Sequence, residues 1–438
     1  VTLVSVAGLG LVLVARPAPM QTWRIAEWVL LFGIGGLWRA VLFGAPPTFS
    51  PDAYRYLWDA HLLLHGLSPY LHGPDYPGFA GLRDAVIWPI LGFRNVPTIY
   101  PPGALLVFVV AGSVAPLKIG ALKFAIALAD WASAILLIAL LRRQGSDPRR
   151  FILYWWSPLP IIEFALNAHI DAVAIAWALA ALLVAGIATR GARVAAGIFL
   201  AMAALTKIYP LLFVIAIARR EDRGFFAALG GTLVLAYLPF IPLGLGGGGF
   251  LGTYFRQRWV DQGILQRFLG QIVTGAGGSA SLLTLLQLGC IGALCLGVAW
   301  WRWRVGLSPA ASILALSAIW MLFAPHLFPW YLPAILPFVA LAWDGQVPQM
   351  AAATPLQRTP TAPVLALWLF ALLMPFTYVI FAPGGTAELF QVFFYLPFVL
   401  ALSPLRHAAQ RATLRQQWRV ATAPGATIPA AFAKRGVR

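Results

Sequence analysis

The sequence predicts an all-α integral membrane protein, a polytopic bundle of about 11 to 13 membrane helices, some short or broken. Three observations carry that prediction. Hydrophobic residues make up 61% of the 438-residue chain and charged residues 10%, with a mean hydropathy of +0.81. Soluble domains carry about 25% charged residues, so this composition leaves no water-facing surface of ordinary kind. Apolar runs recur at lengths near the ~20 residues that cross a bilayer. The third observation is where the charges fall. A net charge of +17 suggests nucleic-acid binding at first sight. The basic residues instead cluster in short connectors, as in Arg142-Arg143 with Arg149-Arg150, Arg219-Arg220, and the tail from Arg406 to Arg438. That is the positive-inside pattern of a membrane protein, and no nucleic-acid partner is expected. Cys290 and Cys295 share one apolar run, so neither a disulfide framework nor a zinc site is expected.

The topology follows from placing the basic connectors in the cytoplasm. Val1 to Ala15 reads as a short first span and not as a removed signal peptide. Residues 25–43 then cross outward, and residues 44–100, polar and proline-rich, form a long external loop. Of the next two apolar pieces, 101–116 is short and reads as partly inserted, whereas 119–141 spans. Residues 151–166 cross outward and 172–188 return, leaving Asn167-Ala-His-Ile-Asp171 outside. The segment 194–217 lies between two basic connectors, so it enters and leaves on one side. Its break is expected at Lys207-Ile-Tyr-Pro210, where proline interrupts helical hydrogen bonding. Such breaks persist at membrane depth only where they line a cavity or are buried in protein. Residues 223–243, 281–301, 307–325, 330–343, 364–381 and 387–404 supply the remaining crossings, with a Gly-rich external loop at 244–280. The membrane domain is thus 1–404. The tail 405–438, basic and without an acidic residue, is expected to be disordered and to seek the lipid surface. A cytoplasmic membrane is the expected setting.

This scheme brings Asp52, Asp59, His169, Asp171, Arg256, Arg258, Asp261 and His326 to the external face, with Lys207 pointing toward it. Carboxylates, imidazoles and cations on one face suit a site that takes a proton from a hydroxyl and holds an anion such as phosphate. Each residue also has a plain reading. Asp52 could cap the helix that carries Tyr54 to Leu64, and Asp59, seven residues on, could be a solvated neighbour on the same face. His169 and Asp171 could terminate a hairpin. Arg256 and Arg258 could sit among headgroups, and Trp330 and Tyr331 beside His326 could form an interfacial aromatic belt. Lys207 is different, because a cation in an apolar hairpin is a functional residue by default. The fold is expected to tolerate Lys207→Met.

The motifs resemble those of the GT-C superfamily of membrane glycosyltransferases, and within it bacterial family 87 mannosyltransferases and the first mannosyltransferase of GPI-anchor assembly. The resemblance runs in order through Asp52-Ala-Tyr-Arg-Tyr-Leu-Trp-Asp59, Gly66-Leu-Ser-Pro-Tyr70, Thr98-Ile-Tyr-Pro-Pro102, Ser157-Pro-Leu-Pro160, Asn167-Ala-His-Ile-Asp171, Lys207-Ile-Tyr-Pro210, Thr253-Tyr-Phe-Arg-Gln-Arg-Trp259 and His326-Leu-Phe-Pro-Trp-Tyr-Leu332. Relatives often carry a second Asp in the first loop where this chain has Pro51, which leaves Asp52 alone at the head of the motif. After Trp259 the chain reads Val260-Asp-Gln-Gly263 where relatives often have Phe-Asn.

The resemblance implies inverting transfer of a sugar, mannose foremost, from a polyprenyl-phosphate donor to a lipid or glycan acceptor at the external face. Asp52 is the implied base, with Asp59 the second catalytic candidate. Lys207, Arg256, Arg258 and His326 are the expected donor-phosphate ligands. Tyr54, Arg55, Trp58, His169, Asp171, Trp330 and Tyr331 are the expected sugar or acceptor contacts. Neither a cofactor nor a metal is expected, since fixed cations suffice for a leaving group that is already a phosphate. The rival class is a transporter or flippase for a lipid-linked sugar, which predicts internal repeats and midplane ionisable groups. No repeat is visible, and the sequence reading sets the charges at one face.

Overall fold

The computed structural model describes residues 25–245, 264–323, 327–343 and 362–380. Among these residues every regular element is helical. The expected first span Val1 to Ala15, residues 246–263 of the Gly-rich loop with Arg256, Arg258 and Asp261, then His326, the final crossing 387–404 and the basic tail lie outside them.

The first helix, α1 (Ile25–Phe43), is long and apolar enough to cross a membrane. Proline and polar residues then end helical periodicity until Pro51, after which α2 (Asp52–Leu64) begins inside the long loop. α2 lays Tyr56 flat on Phe108 of α3 (Pro102–Val114), ring centroids 4.3 Å apart. At 13 residues α3 is too short to span, in keeping with the partly inserted reading. Gly103 matters here: a Cβ on it would stand 2.8 Å from Leu205, so its absence lets the start of α3 approach the backbone of α7 (Arg190–Thr206).

α4 (Ile119–Arg143) is long and apolar enough to span, and it carries three polar groups to which the sequence assigned no role. Lys123, 1% exposed, donates from Nζ to the carbonyls of Leu42 (3.2 Å), Phe43 (2.8 Å) and Ala45 (2.5 Å), closing the C-terminus of α1. Ser133 turns its hydroxyl back to the Ala129 carbonyl of its own helix. Asp130 accepts from Arg39 Nε of α1 at 2.5 Å and from the Tyr154 hydroxyl at 2.6 Å. Arg39 also donates to the Trp155 carbonyl at 2.8 Å and lies 3.5 Å over the Trp155 ring. Ionisable groups therefore occur inside the bundle as well as at one face. These are closed off by their own partners, as structural pairs are. Asp130→Asn would leave Arg39 buried against a neutral amide. We expect a loss of about 3 kcal/mol or more, read as a lower Tm in detergent with activity per folded molecule unchanged.

The segment after α4 forms a sharp V. α5 (Pro158–Leu166) and α6 (Asp171–Ala185) meet at 119° across residues 167–170. The second half of α5, Ile161–Leu166, is a π-helical turn, a local widening common at functional sites. Ala168 sits at φ 57°, in the left-handed region that L residues rarely adopt. The turn is held by the His169 N–H donating to the Glu163 carbonyl at 2.9 Å. α7 stops at Thr206, Lys207 is extended, and a 3-10 turn runs over Tyr209–Phe213, which is the expected break.

At its other end α6 exposes its last carbonyls to arginines from three connectors. Arg143 donates to Leu183 (2.7 Å), Arg193 to Ala185 (3.2 Å) and Arg219 to Ala185 (3.0 Å). At 15 residues α6 is roughly 22 Å long, so this basic end stands about that far from Asp171 at the N-terminus. The chain continues through α8 (Arg223–Tyr237), α9 (Ile264–Gly275), α10 (Ala280–Val305), α11 (Pro309–Phe323), α12 (Pro329–Leu341) and α13 (Ala362–Leu373), with a last turn at Thr377–Ile380. Four described helices are long and apolar enough to cross a membrane, or five if the V is one span, beside several shorter apolar helices. The protein is a polytopic all-α membrane protein.

Candidate active site

The start of α2, the loop residues Thr98–Tyr100, Lys207 and the start of α12 surround a cavity. Asp52, Arg55, Tyr100, Lys207, Trp330 and Tyr331 all face it. A second, smaller space adjoins it, sharing Lys207, Tyr100 and Tyr331 and reaching Asp171.

Asp52 does not cap its helix. Position 51 at the helix start is a proline, and no side-chain cap forms there. The Asp52 N–H instead donates to Ser50 Oγ at 3.2 Å, and its carboxylate accepts from the Tyr100 hydroxyl at 3.2 Å. His169 Nδ1 stands 3.8 Å from the same oxygen. Burial pushes the Asp52 carboxyl above the usual range, while the Lys207 charge and the Tyr100 hydrogen bond pull it back. A carboxylate poised in this way is a better base than an exposed one. Burial, followed by the Asp52 charge, holds the Tyr56 and Tyr100 hydroxyls well above their ordinary value, so both remain donors.

Lys207 lies 3.2 Å from Asp171 Oδ2 and 5.5 and 5.3 Å from the ring centroids of Tyr100 and Tyr331. Its side chain keeps 15% exposure, whereas that of Asp171 has none. The ammonium has three donors, so one carboxylate partner leaves room for an anion in the cavity. His169 is buried behind Asp52 and stacks on Trp330, with centroids 4.3 Å apart. Trp330 in turn stacks on Phe328.

The structure thus brings Asp52, Arg55, Lys207, Trp330 and Tyr331 to one wall, with His169 and Asp171 directly behind. It sets other expected residues elsewhere. Asp59 is fully buried, accepting from Arg55 Nε (2.8 Å) and Thr98 Oγ1 (2.6 Å), and does not border the cavity. Burial raises its carboxyl, and Arg55 and Thr98 counter that. Asp59 fixes Arg55, which also donates to the Phe93 carbonyl at 3.0 Å. Trp58 is packed in the core against Trp88, centroids 5.6 Å apart, and Tyr54 is half-buried on a face of α2 away from the cavity. Arg256, Arg258 and His326 are outside the described residues.

Three polar residues of the site went unassigned in the sequence: Tyr100, Tyr56 and Glu163. Tyr100 and Tyr56 stood within quoted motifs without roles. Glu163 lies in the apolar run Pro158 to Leu166, 0% exposed, with Oε2 at 3.5 Å from His169 Nε2. A lone acid inside a membrane segment was the signal available for it. Among the described residues no group of three or more His, Cys, Asp or Glu is placed to hold a metal ion.

Comparison with known proteins gives this geometry its setting. The family described as alpha-(1->6)-mannopyranosyltransferase, N-terminal domain, matches residues 1–220, just over half of the chain. Alpha-(1->6)-mannopyranosyltransferase A of Mycobacterium tuberculosis is 27% identical over 423 residues, covering 86% of this chain and 76% of that protein. The matched half contains Asp52, Tyr100, Glu163, His169, Asp171 and Lys207, and the chain belongs to this alpha-(1->6)-mannopyranosyltransferase family, as a membrane glycosyltransferase.

Proposed function

We propose that the protein transfers mannose, with inversion, from a polyprenyl-phosphate donor to a hydroxyl of a lipid or glycan acceptor at the external face of the cytoplasmic membrane. The observation that carries the reading is the arrangement around Tyr100. Its hydroxyl donates to a carboxylate, Asp52, and its ring faces a cation, Lys207, on the wall of one cavity. Asp52 takes the proton of the acceptor hydroxyl as that oxygen bonds to the anomeric carbon. The bond from that carbon to the donor phosphate breaks, and its electron pair leaves on the lipid phosphate. Lys207, with Arg55 nearby, faces the charge that grows there. Tyr331 borders the cavity with an aromatic ring against which a sugar can pack, and Trp330, stacked between His169 and Phe328, backs it.

The external orientation is supported by α6, whose N-terminus meets the site while its C-terminus is held by the arginines of the basic connectors. In a background lacking Cys290 and Cys295, Ala80→Cys should react with an impermeant thiol reagent added outside. Gln144→Cys should react only once membranes are opened, and the reverse pattern would place the site inside.

The reading as a whole is tested by incubating purified protein with polyprenyl-phosphate mannose and an acceptor extract. Donor loss coupled to a mannosylated product is the expected result. Transfer from a nucleotide sugar in place of the lipid donor would overturn it.

A further inference from the structure

The reading of Asp52 as base leaves open what keeps a half-buried carboxylate ionised and aimed. The answer lies in the polar groups behind it. Asn167 Oδ1 accepts from the backbone N–H groups of Thr48 (3.3 Å) and Phe49 (3.2 Å). That fixes the amide, so its Nδ2 is the atom that faces Glu163 and donates to Oε2 at 3.1 Å. The other carboxyl oxygen, Oε1, accepts from the Tyr378 hydroxyl at 2.8 Å. His169 Nε2 is buried, stands 3.5 Å from the same Oε2 and makes no hydrogen bond among the described residues. From the other ring nitrogen a line of contacts runs to the cavity. His169 Nδ1 is 3.4 Å from the Tyr56 hydroxyl, which is 3.3 Å from the Tyr100 hydroxyl, which is 3.2 Å from Asp52 Oδ2.

Each of the four contacts from Glu163 to Asp52, the longest being the 3.5 Å approach of Oε2 to Nε2, has room for one proton. Tyr100, Tyr56 and a neutral His169 bring one each. Burial and the neighbouring Lys207 keep His169 neutral, so the fourth proton comes from a carboxyl at one end. If it sits on Asp52, every donor points inward and the base is lost. If it sits on Glu163, every donor points outward and Asp52 is left as an acceptor. The surroundings favour the second case. Asp52 borders the cavity with Lys207 beside it, whereas Glu163 is fully buried and faces the negative charges of Asp171 and Asp52.

We infer that Glu163 is protonated at Oε2 and, through His169, orients a one-way chain of hydrogen bonds that ends on Asp52, making Glu163 a positioning residue for the base. It rests on the reading of Asp52 as base. Oε2 has to accept from Asn167 and donate to His169 at once, and a carboxylic acid hydroxyl does both at one atom. An amide does not. In Glu163→Gln, the fixed Asn167 N–H group selects the amide oxygen for that position. The oxygen then attracts His169 Nε2–H, and the whole chain turns away from Asp52. The acceptor's proton, once on Asp52, leaves to water through the cavity, so the chain itself is not consumed in a turnover.

The test compares wild type, Glu163→Gln and Glu163→Gln/Asn167→Asp by kcat, KM and the pH dependence of kcat. In Glu163→Gln, kcat should fall about tenfold or more, with donor KM within about twofold. The acid limb should move up by about one pH unit, because Tyr100 no longer donates to the ionised form of Asp52. In the double variant a carboxylate at position 167 accepts where the Asn167 amide donated. The amino group of the new amide at position 163 then faces inward and serves both that carboxylate and His169. The rate and the acid limb should return toward wild type. A Glu163→Gln enzyme with unchanged kcat and acid limb, or a folded double variant no faster than the single, would overturn the inference. A variant-free check is the 15N spectrum of histidine-labelled wild type, assigned with His169→Gln. It should show His169 protonated at Nδ1, and protonation at Nε2 alone would refute the chain. Activity persisting in Asp52→Asn would instead remove the reading on which the inference stands.

Discussion

Asp52→Asn is expected to lower transfer by about 100-fold or more while leaving the fold intact, because an amide cannot take the acceptor's proton. The substitution is close to isosteric. Its side-chain oxygen can still accept from Tyr100, and no helix cap is lost because Asp52 does not serve as one. Donor affinity should change little, since the phosphate is assigned to Lys207. Retention of more than about a tenth of the wild-type rate would remove Asp52 from the mechanism. The pH dependence follows with a definite sign. Burial raises the Asp52 carboxyl, so activity should be full above that raised value and lost as the pH falls through it. The acid limb should lie above the range of an ordinary exposed aspartate.

The second large effect concerns Lys207, and here the structure corrects an expectation. The sequence suggested that Lys207→Met would be tolerated by the fold. Asp171 is fully buried, and Lys207 Nζ, 3.2 Å from its Oδ2, is the cation that compensates it. Removing one partner of such a pair costs about 3 kcal/mol or more, and Lys207→Met alone should therefore lower stability. Lys207→Met/Asp171→Asn removes both charges and should recover the fold. Its transfer rate should still be reduced about 100-fold, because the developing charge on the leaving phosphate has lost its cation. Lys207→Arg should restore only part of the rate, as a planar fork does not reproduce a compact ammonium. A stable double variant with wild-type turnover would make the pair structural and pass the phosphate to Arg55, Arg256, Arg258 or His326.

The sequence made the site legible to the extent that topology did. Counting crossings from the basic connectors brought Asp52, His169, Asp171 and Lys207 together although they are spread over more than a hundred residues, and the structure has them within one cluster. What it could not supply was depth. Asp52 and Asp59 share a face of α2, but α2 sinks into the bundle, so that Asp52 reaches the cavity and Asp59 is sealed against Arg55 and Thr98. Trp58 was assigned to the sugar on its residue type, and it lies in the core against Trp88. Glu163 was hidden by its neighbours, since one acid in an apolar run scarcely alters the hydropathy. The buried Arg39–Asp130 pair escaped for the same reason: each residue stands alone in its own span, and only the packing of α1 on α4 shows that they meet.

The position of Tyr378 sets a timetable for building the enzyme. Its ring stacks on Phe49, centroids 4.6 Å apart, and its hydroxyl holds Glu163, so a residue near the end of the described chain fastens groups that are made early. Ribosomes add roughly 5–20 residues per second, so on the order of ten to thirty seconds separate the synthesis of Lys207 from that of Tyr378. Throughout that interval the nascent bundle holds an acid in an apolar segment without its last hydrogen-bond donor. The insertion machinery therefore has to keep that side of the V wet or covered, and the enzyme acquires its finished interior only when the late helices dock.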